Sequence, residues 1–251
     1  MSVRTDRATD PGVLADLADA RLGQASFSRA LNEVRNDRLA TPSALPGWSR
    51  AHVIAHVGYN ARGINRLVDW AGTGIETPMY PDPAARAAEI ALGATLSGRA
   101  LRHLSDHAAI ALDVAWRDLP ADRWTHPVRT ALGRIVPVSE TVWMRTRETW
   151  LHAVDLDTGA RLVDIPARVA SRLLTDVLTT WSSRDADGRE VRFVLEATDS
   201  GEIFAAADAA ASGRAVTLRG RRADLLGWAT GRPAGPVLRD GDPAPAAPRW
   251  I

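Results

Sequence analysis

The segment "VSETVWMRTRETWLHAVDL", residues 138–156, places the tightest limits on the fold. Val142, Trp143, Met144, Trp150, Leu151 and Val154 put apolar side chains on nearly every side of a helix predicted from about Pro137 to Asp157 and stopped at Gly159. Such a helix has to be surrounded by other elements. Yet Thr141, Arg145, Glu148, His152 and Asp155 form one polar stripe down it. Buried polar groups need partners, and an isolated buried carboxylate neutralises instead. A Glu148–Arg145 ion pair with a neighbour capping His152 would supply them; so would a metal ion.

The rest of the first half offers the surroundings. Asp10-Pro11 reads as the start of a helix reaching about Asn36, with Leu14, Leu17, Leu22, Phe27 and Leu31 at roughly helical period. After the turn "TPSALPGW", Ser49 caps a second helix with a core stripe of Val53, Val57, Ile64, Leu67 and Val68. Helical pattern returns over Pro83–Leu92 and Ser97–Asp118, before a polar stretch containing "ADRWTHPVRTALGRIVP". Four long helices predict an up-and-down bundle.

The pattern changes near residue 163. A helix, "IPARVASRLLTDVLTTWSS", is followed by two β-like runs, "REVRFVLEA" and "GEIFAAA", joined by "TDSG". Then come "RAVTLRG", the helical "RRADLLGWATGR" and a Pro-rich extended tail. The fold class is therefore α+β, with a four-helix bundle over residues 1–162 and a small α+β domain over 163–251.

Six histidines give three pairs at i,i+4 spacing: His52/His56, His103/His107 and Glu148/His152. Leu101, Leu104, Ala108, Ala111 and Ala115 mark the buried face of the helix that carries His103, which lies off it, and His107 sits at its margin. That pair reads as ordinary. His56 shares a side with Val53, Val57 and Asn60 and points inward, whereas His52 occupies the first turn. His56, Glu148 and His152 then face one another across a bundle core. Two imidazoles and one carboxylate suit zinc and leave positions open for water or substrate, as in catalytic sites.

Composition removes several functions. With no cysteine the chain has no thiol nucleophile, thiolate ligand or disulfide. A net charge of +1 gives no reason to expect nucleic acid or an anionic membrane as partner. Every one of the 31 basic residues is arginine, so a lone arginine carries little functional weight. No apolar signal core or membrane-length run is seen, and a monomeric cytoplasmic protein is expected.

"LPGWSRAHVIAHVGYNA", "TGIETPMY", "LDVAWR", "VSETVWMRTRETWLHAVDL" and "APRWI" together resemble the mycothiol-dependent maleylpyruvate isomerases of actinobacteria, essentially end to end. The resemblance implies a DinB-type metal-binding bundle followed by a small α/β domain. It implies zinc ligands at His56, Glu148 and His152, and a catalytic arginine at Arg232 in "WATGR". It also implies the reaction, conversion of maleylpyruvate to fumarylpyruvate in gentisate degradation. Mycothiol adds to the double bond, the resulting single bond rotates, and the thiol leaves. Arg232 would clamp a substrate carboxylate or stabilise the enolate, in a site between the two domains, or else simply cap a helix. Asp155 would orient an imidazole or serve as a helix-end charge, and Tyr80 would line the pocket. The alternatives are a mycothiol S-transferase or metal-dependent hydrolase of the same fold, and a non-catalytic binding protein.

Overall fold

Short polar side chains set where the helices begin. Asp10 accepts from the amides of Gly12 and Val13 and starts α1 (Pro11–Asn32). Ser49 starts α2 (Arg50–Thr73), Asp82 starts α3 (Pro83–Gly93) and Ser97 starts α4 (Gly98–Asp118), each accepting from the amide three residues on. The fifth helix, α5, spans Glu140–Asp155. This computed structural model describes residues 5–184, 191–206 and 214–250. The rest, including the first residues of "REVRFVLEA", Ala207 and Ile251, lies outside the described residues. The chain divides into two compact units, Met1–Ala160 and Arg161–Ile251.

In the first unit α1 packs chiefly on α5 and α2 on α4, and α2 also meets α5. The helices therefore do not follow the expected up-and-down order, in which each packs on the next. Two long connections, residues 33–49 and 119–139, carry the chain across the bundle. The physical reason lies in α5: being apolar nearly all round, it takes a place against both α1 and α2. At Gly23 a Cβ would stand 2.5 Å from Thr149 Oγ1 and 2.9 Å from Trp150 Nε1, so the glycine lets α1 approach α5 closely. One end of the core is built on Ile64, Leu67, Leu112, Trp116 and Val142. The other is built on Phe27, Leu31, Ile54, Leu101 and Leu156.

Some details depart from the sequence reading. Helix α1 ends at Asn32 rather than Asn36, and Leu14 and Leu22 are exposed while Leu17, Phe27 and Leu31 are buried. On α4 the inward face runs through Leu112 and Trp116, and Ala111 faces solvent. The polar stretch before α5 folds into a hairpin, β1 (Pro127–Arg129) paired with β2 (Ile135–Pro137), which inserts Val128 and Val136 into the core.

The second unit holds α6 (Ala167–Arg184), β3 (Val191–Ala197), β4 (Ile203–Phe204), β5 (Arg214–Gly220), α7 (Arg222–Thr230), β6 (Leu238–Arg239) and β7 (Asp242–Pro243). The sheet order is β4-β3-β5-β6-β7. Strands β3 and β5 run parallel in register from Val191↔Arg214 to Ala197↔Gly220, and the other pairings are antiparallel. Trp181, Phe193 and Trp228 meet edge to face with ring centroids 5.3–5.7 Å apart. Trp228 Nε1 donates to Pro245 O at 2.7 Å and fastens the tail. No described helix is long and apolar enough to cross a membrane.

Candidate metal centre

Contact between α2 and α5 brings His56, Glu148 and His152 together, with one donor atom of each within 4.8 Å of the others. His56 Nε2 stands 2.8 Å from Glu148 Oε2, and His152 Nε2 stands 3.2 Å from the same oxygen. The two imidazole rings are nearly perpendicular, with centroids 4.8 Å apart. Ligands about 2.1 Å from a tetrahedral ion stand roughly 3.4 Å from one another, so this donor set fits a zinc-like ion with little rearrangement. Among the described residues this is the one such cluster.

The surroundings tune the three groups. Burial pushes the His56 imidazole below its ordinary pKa, against the pull of Glu148, and so favours the neutral form that a ligand needs. Burial alone would raise Glu148, but hydrogen bonds from His152 and His56 hold it well below the usual carboxylate range. His152 shows the opposite balance. Burial would lower its pKa, yet the carboxylates of Asp155 and Glu148 raise it. Asp155 is fully buried, with Oδ2 2.8 Å from His152 Nδ1. A carboxylate on the far nitrogen fixes the tautomer that presents Nε2, an arrangement common behind metal-bound histidines.

Arg145 does not pair with Glu148. Its guanidinium, 2% exposed, donates to Val57 O at 2.7 Å, Asn60 Oδ1 at 3.0 Å and Gln24 Oε1 at 2.8 Å. It ties α5 to α2 one residue beyond His56 and to α1, and burial pushes its pKa down to about 10. The polar stripe is thus satisfied in two parts, Arg145 by neutral oxygens and Glu148 by imidazoles.

The other histidines fall elsewhere. His52 closes a capping box: Ser49 Oγ accepts from its amide, and its Nδ1 accepts from the Ser49 amide at 3.4 Å. His103 and His107 are exposed and stack on each other at 5.7 Å. Tyr80 is buried, and burial pushes its phenol pKa up despite the guanidinium of Arg86. In the second unit α7 ends at Gly231 (φ 70°), and Arg232 Nη1 donates back to Thr230 O at 3.2 Å.

Two neighbours of His56 escape sequence reasoning. Trp48 sits edge-on to it at 5.4 Å, and Arg86 Nη2 lies 3.4 Å from its Nδ1. A tryptophan just before a helix cap is a readable signal for the first. An isolated arginine in an arginine-only chain gives none for the second.

Comparison with known proteins identifies the family. The family model for the mycothiol maleylpyruvate isomerase N-terminal domain matches residues 20–157. A crystal structure of the mycothiol-dependent maleylpyruvate isomerase is 43% identical with a TM-score of 0.88, covering 95% of this chain and 97% of that one. The structure of a histidine-to-alanine mutant of that isomerase is 42% identical, with the same TM-score and coverage. No curated protein matches. With more than half of its length matched by the family model and nearly all of it by a solved relative, the chain belongs to the mycothiol-dependent maleylpyruvate isomerase family.

Proposed function

We propose that the protein converts maleylpyruvate to fumarylpyruvate with mycothiol as the nucleophile, at a zinc ion held by His56, Glu148 and His152. The observation that carries this reading is the partly buried His–Glu–His cluster, backed by Asp155, in a chain so similar to a solved isomerase.

A carbon–carbon double bond does not rotate at ambient temperature, so something must add to it, allow rotation and leave. This chain has no cysteine, and the adding sulfur has to come from a small thiol. Zinc, when bound, would lower the pKa of a coordinated thiol so that the thiolate is available near neutral pH. Glu148 and the two imidazoles would hold the ion, and Asp155 would keep His152 in the ligating tautomer. Arg232 would bind a substrate carboxylate or the charge that develops on the conjugated oxygen. Such a reaction belongs to gentisate degradation.

The test follows maleylpyruvate absorbance with and without mycothiol, using protein purified without chelator and analysed for zinc. Thiol-dependent loss of absorbance is expected, abolished by His56→Ala. Activity without thiol, or none in its presence, overturns the isomerase reading. Absence of bound zinc overturns the metal assignment.

A further inference from the structure

The proposed substrate carries two carboxylates, and Arg232 accounts for one cation at most. In the first unit two guanidinium groups lie against the metal-centre residues. Arg145 is buried and its donors are engaged by Val57, Asn60 and Gln24. Arg86, on α3, differs: it is half-buried and, among the described residues, makes no ion pair with a carboxylate. Its guanidinium reaches His56 Nδ1 at 3.4 Å and Tyr80, whose ring centroid is 5.9 Å from the guanidinium carbon and whose phenol it also hydrogen-bonds.

The contact with His56 depends on the centre's state. A guanidinium has donors and no acceptor. While His56 gives its Nε2 proton to Glu148, Nδ1 is an acceptor that Arg86 can reach. A neutral imidazole that gives Nε2 to a metal carries its proton on Nδ1 and offers Arg86 nothing. A metal ion held by His56 Nε2 would therefore leave this cation without that acceptor, beside the centre.

Helix α3 holds it there. Gly93 meets α2 so closely that a Cβ would stand 2.6 Å from Tyr59 Cε2 and 2.8 Å from Ala55 Cβ. Tyr80 is wedged against Gly63, where a Cβ would be 3.3 Å from its hydroxyl. The guanidinium is thus placed over the buried Tyr80 ring and next to His56, on a half-buried residue. That is how a bidentate carboxylate site is prepared.

We propose that Arg86 binds one carboxylate of the dicarboxylate substrate beside the metal centre, a proposal that rests on the reaction proposed above. The experiment is calorimetric titration of zinc-loaded wild-type, Arg86→Gln and Arg86→Lys proteins with maleate, alongside metal analysis. Maleate affinity should fall on the order of tenfold in Arg86→Gln, fall less in Arg86→Lys, and leave zinc content unchanged in both. In turnover, KM for maleylpyruvate should rise more than kcat falls. Equal maleate affinity in wild type and Arg86→Gln overturns the proposal. So do failure of the wild type to bind maleate, and loss of zinc from Arg86→Gln, which would make Arg86 a brace for His56. Wild-type turnover is scored separately, so a protein that binds maleate through Arg86 but does not isomerise maleylpyruvate rejects the reaction alone.

Discussion

Asp155 Oδ2 lies 2.8 Å from Nδ1 of His152, and Asp155 has no solvent exposure. A buried carboxylate so placed makes the opposite nitrogen a better electron-pair donor and forbids the other tautomer. In Asp155→Asn the amide can reverse and stabilise the wrong tautomer. Zinc affinity, measured against a competing chelator, should fall roughly 10- to 100-fold. Unchanged affinity would mean that Asp155 is only a helix-end charge.

Arg145 holds three helices through neutral oxygens. Arg145→Ala leaves those acceptors unpaired and opens a cavity, and should cost about 2–5 kcal/mol in urea denaturation. Arg145→Met refills most of the volume without the donors and should cost about 1–3 kcal/mol. A Met variant as stable as wild type would show that packing alone matters at this position.

Alanine at Gly93 improves helix propensity by about 1 kcal/mol, yet its Cβ meets Ala55 Cβ, which cannot rotate away. Helix α3 must shift, taking Arg86 with it. Gly93→Ala should bind maleate more weakly than wild type while keeping its zinc. Full maleate affinity in that variant would separate α3 packing from anion binding.

Asp6 accepts two hydrogen bonds from Arg21, which also pairs with Asp113. The hydrogen bond from Arg21 holds the Asp6 carboxyl below its ordinary pKa in the folded chain. Its stabilisation is therefore full above about pH 4 and is lost as pH falls through the lowered folded value. Asp6→Asn should remove about 0.5–1 kcal/mol at neutral pH and flatten the acid limb of the stability curve. Parallel acid limbs in wild type and variant would contradict this.

Arg232 tests the second unit. If it binds substrate, Arg232→Ala lowers kcat/KM by roughly 100-fold with zinc content intact. If it serves only to cap α7 through Thr230 O, melting temperature moves and kcat/KM does not.

Caps and faces were legible from the residues. Asp10-Pro11 and Ser49 announced two helix starts, helical pattern resuming at Pro83 and Ser97 marked two more, and the stripe on α5 announced a polar interior. Periodicity says which face is buried but not against which helix, so the crossover order was hidden. The β1–β2 hairpin escaped because only Val128 and Val136 alternate with exposed neighbours, too little for a period of two. At the centre, Glu148 and His152 at helical spacing on one helix stood out, with His56 on the inward side of another. Arg86 did not, because only the docking of α3 on α2 gives that arginine an address.

The crossover order also fixes when the centre can form. His56 and Glu148 are 92 positions apart, with α3, α4 and the hairpin between them in the chain. Closing so long a loop is entropically slow compared with forming local helices. A chain that has made only α1 to α4 holds His56 but not yet Glu148 or His152, the other two donors of the proposed centre. The three donors of the proposed centre thus come together only when α5 has docked on α2.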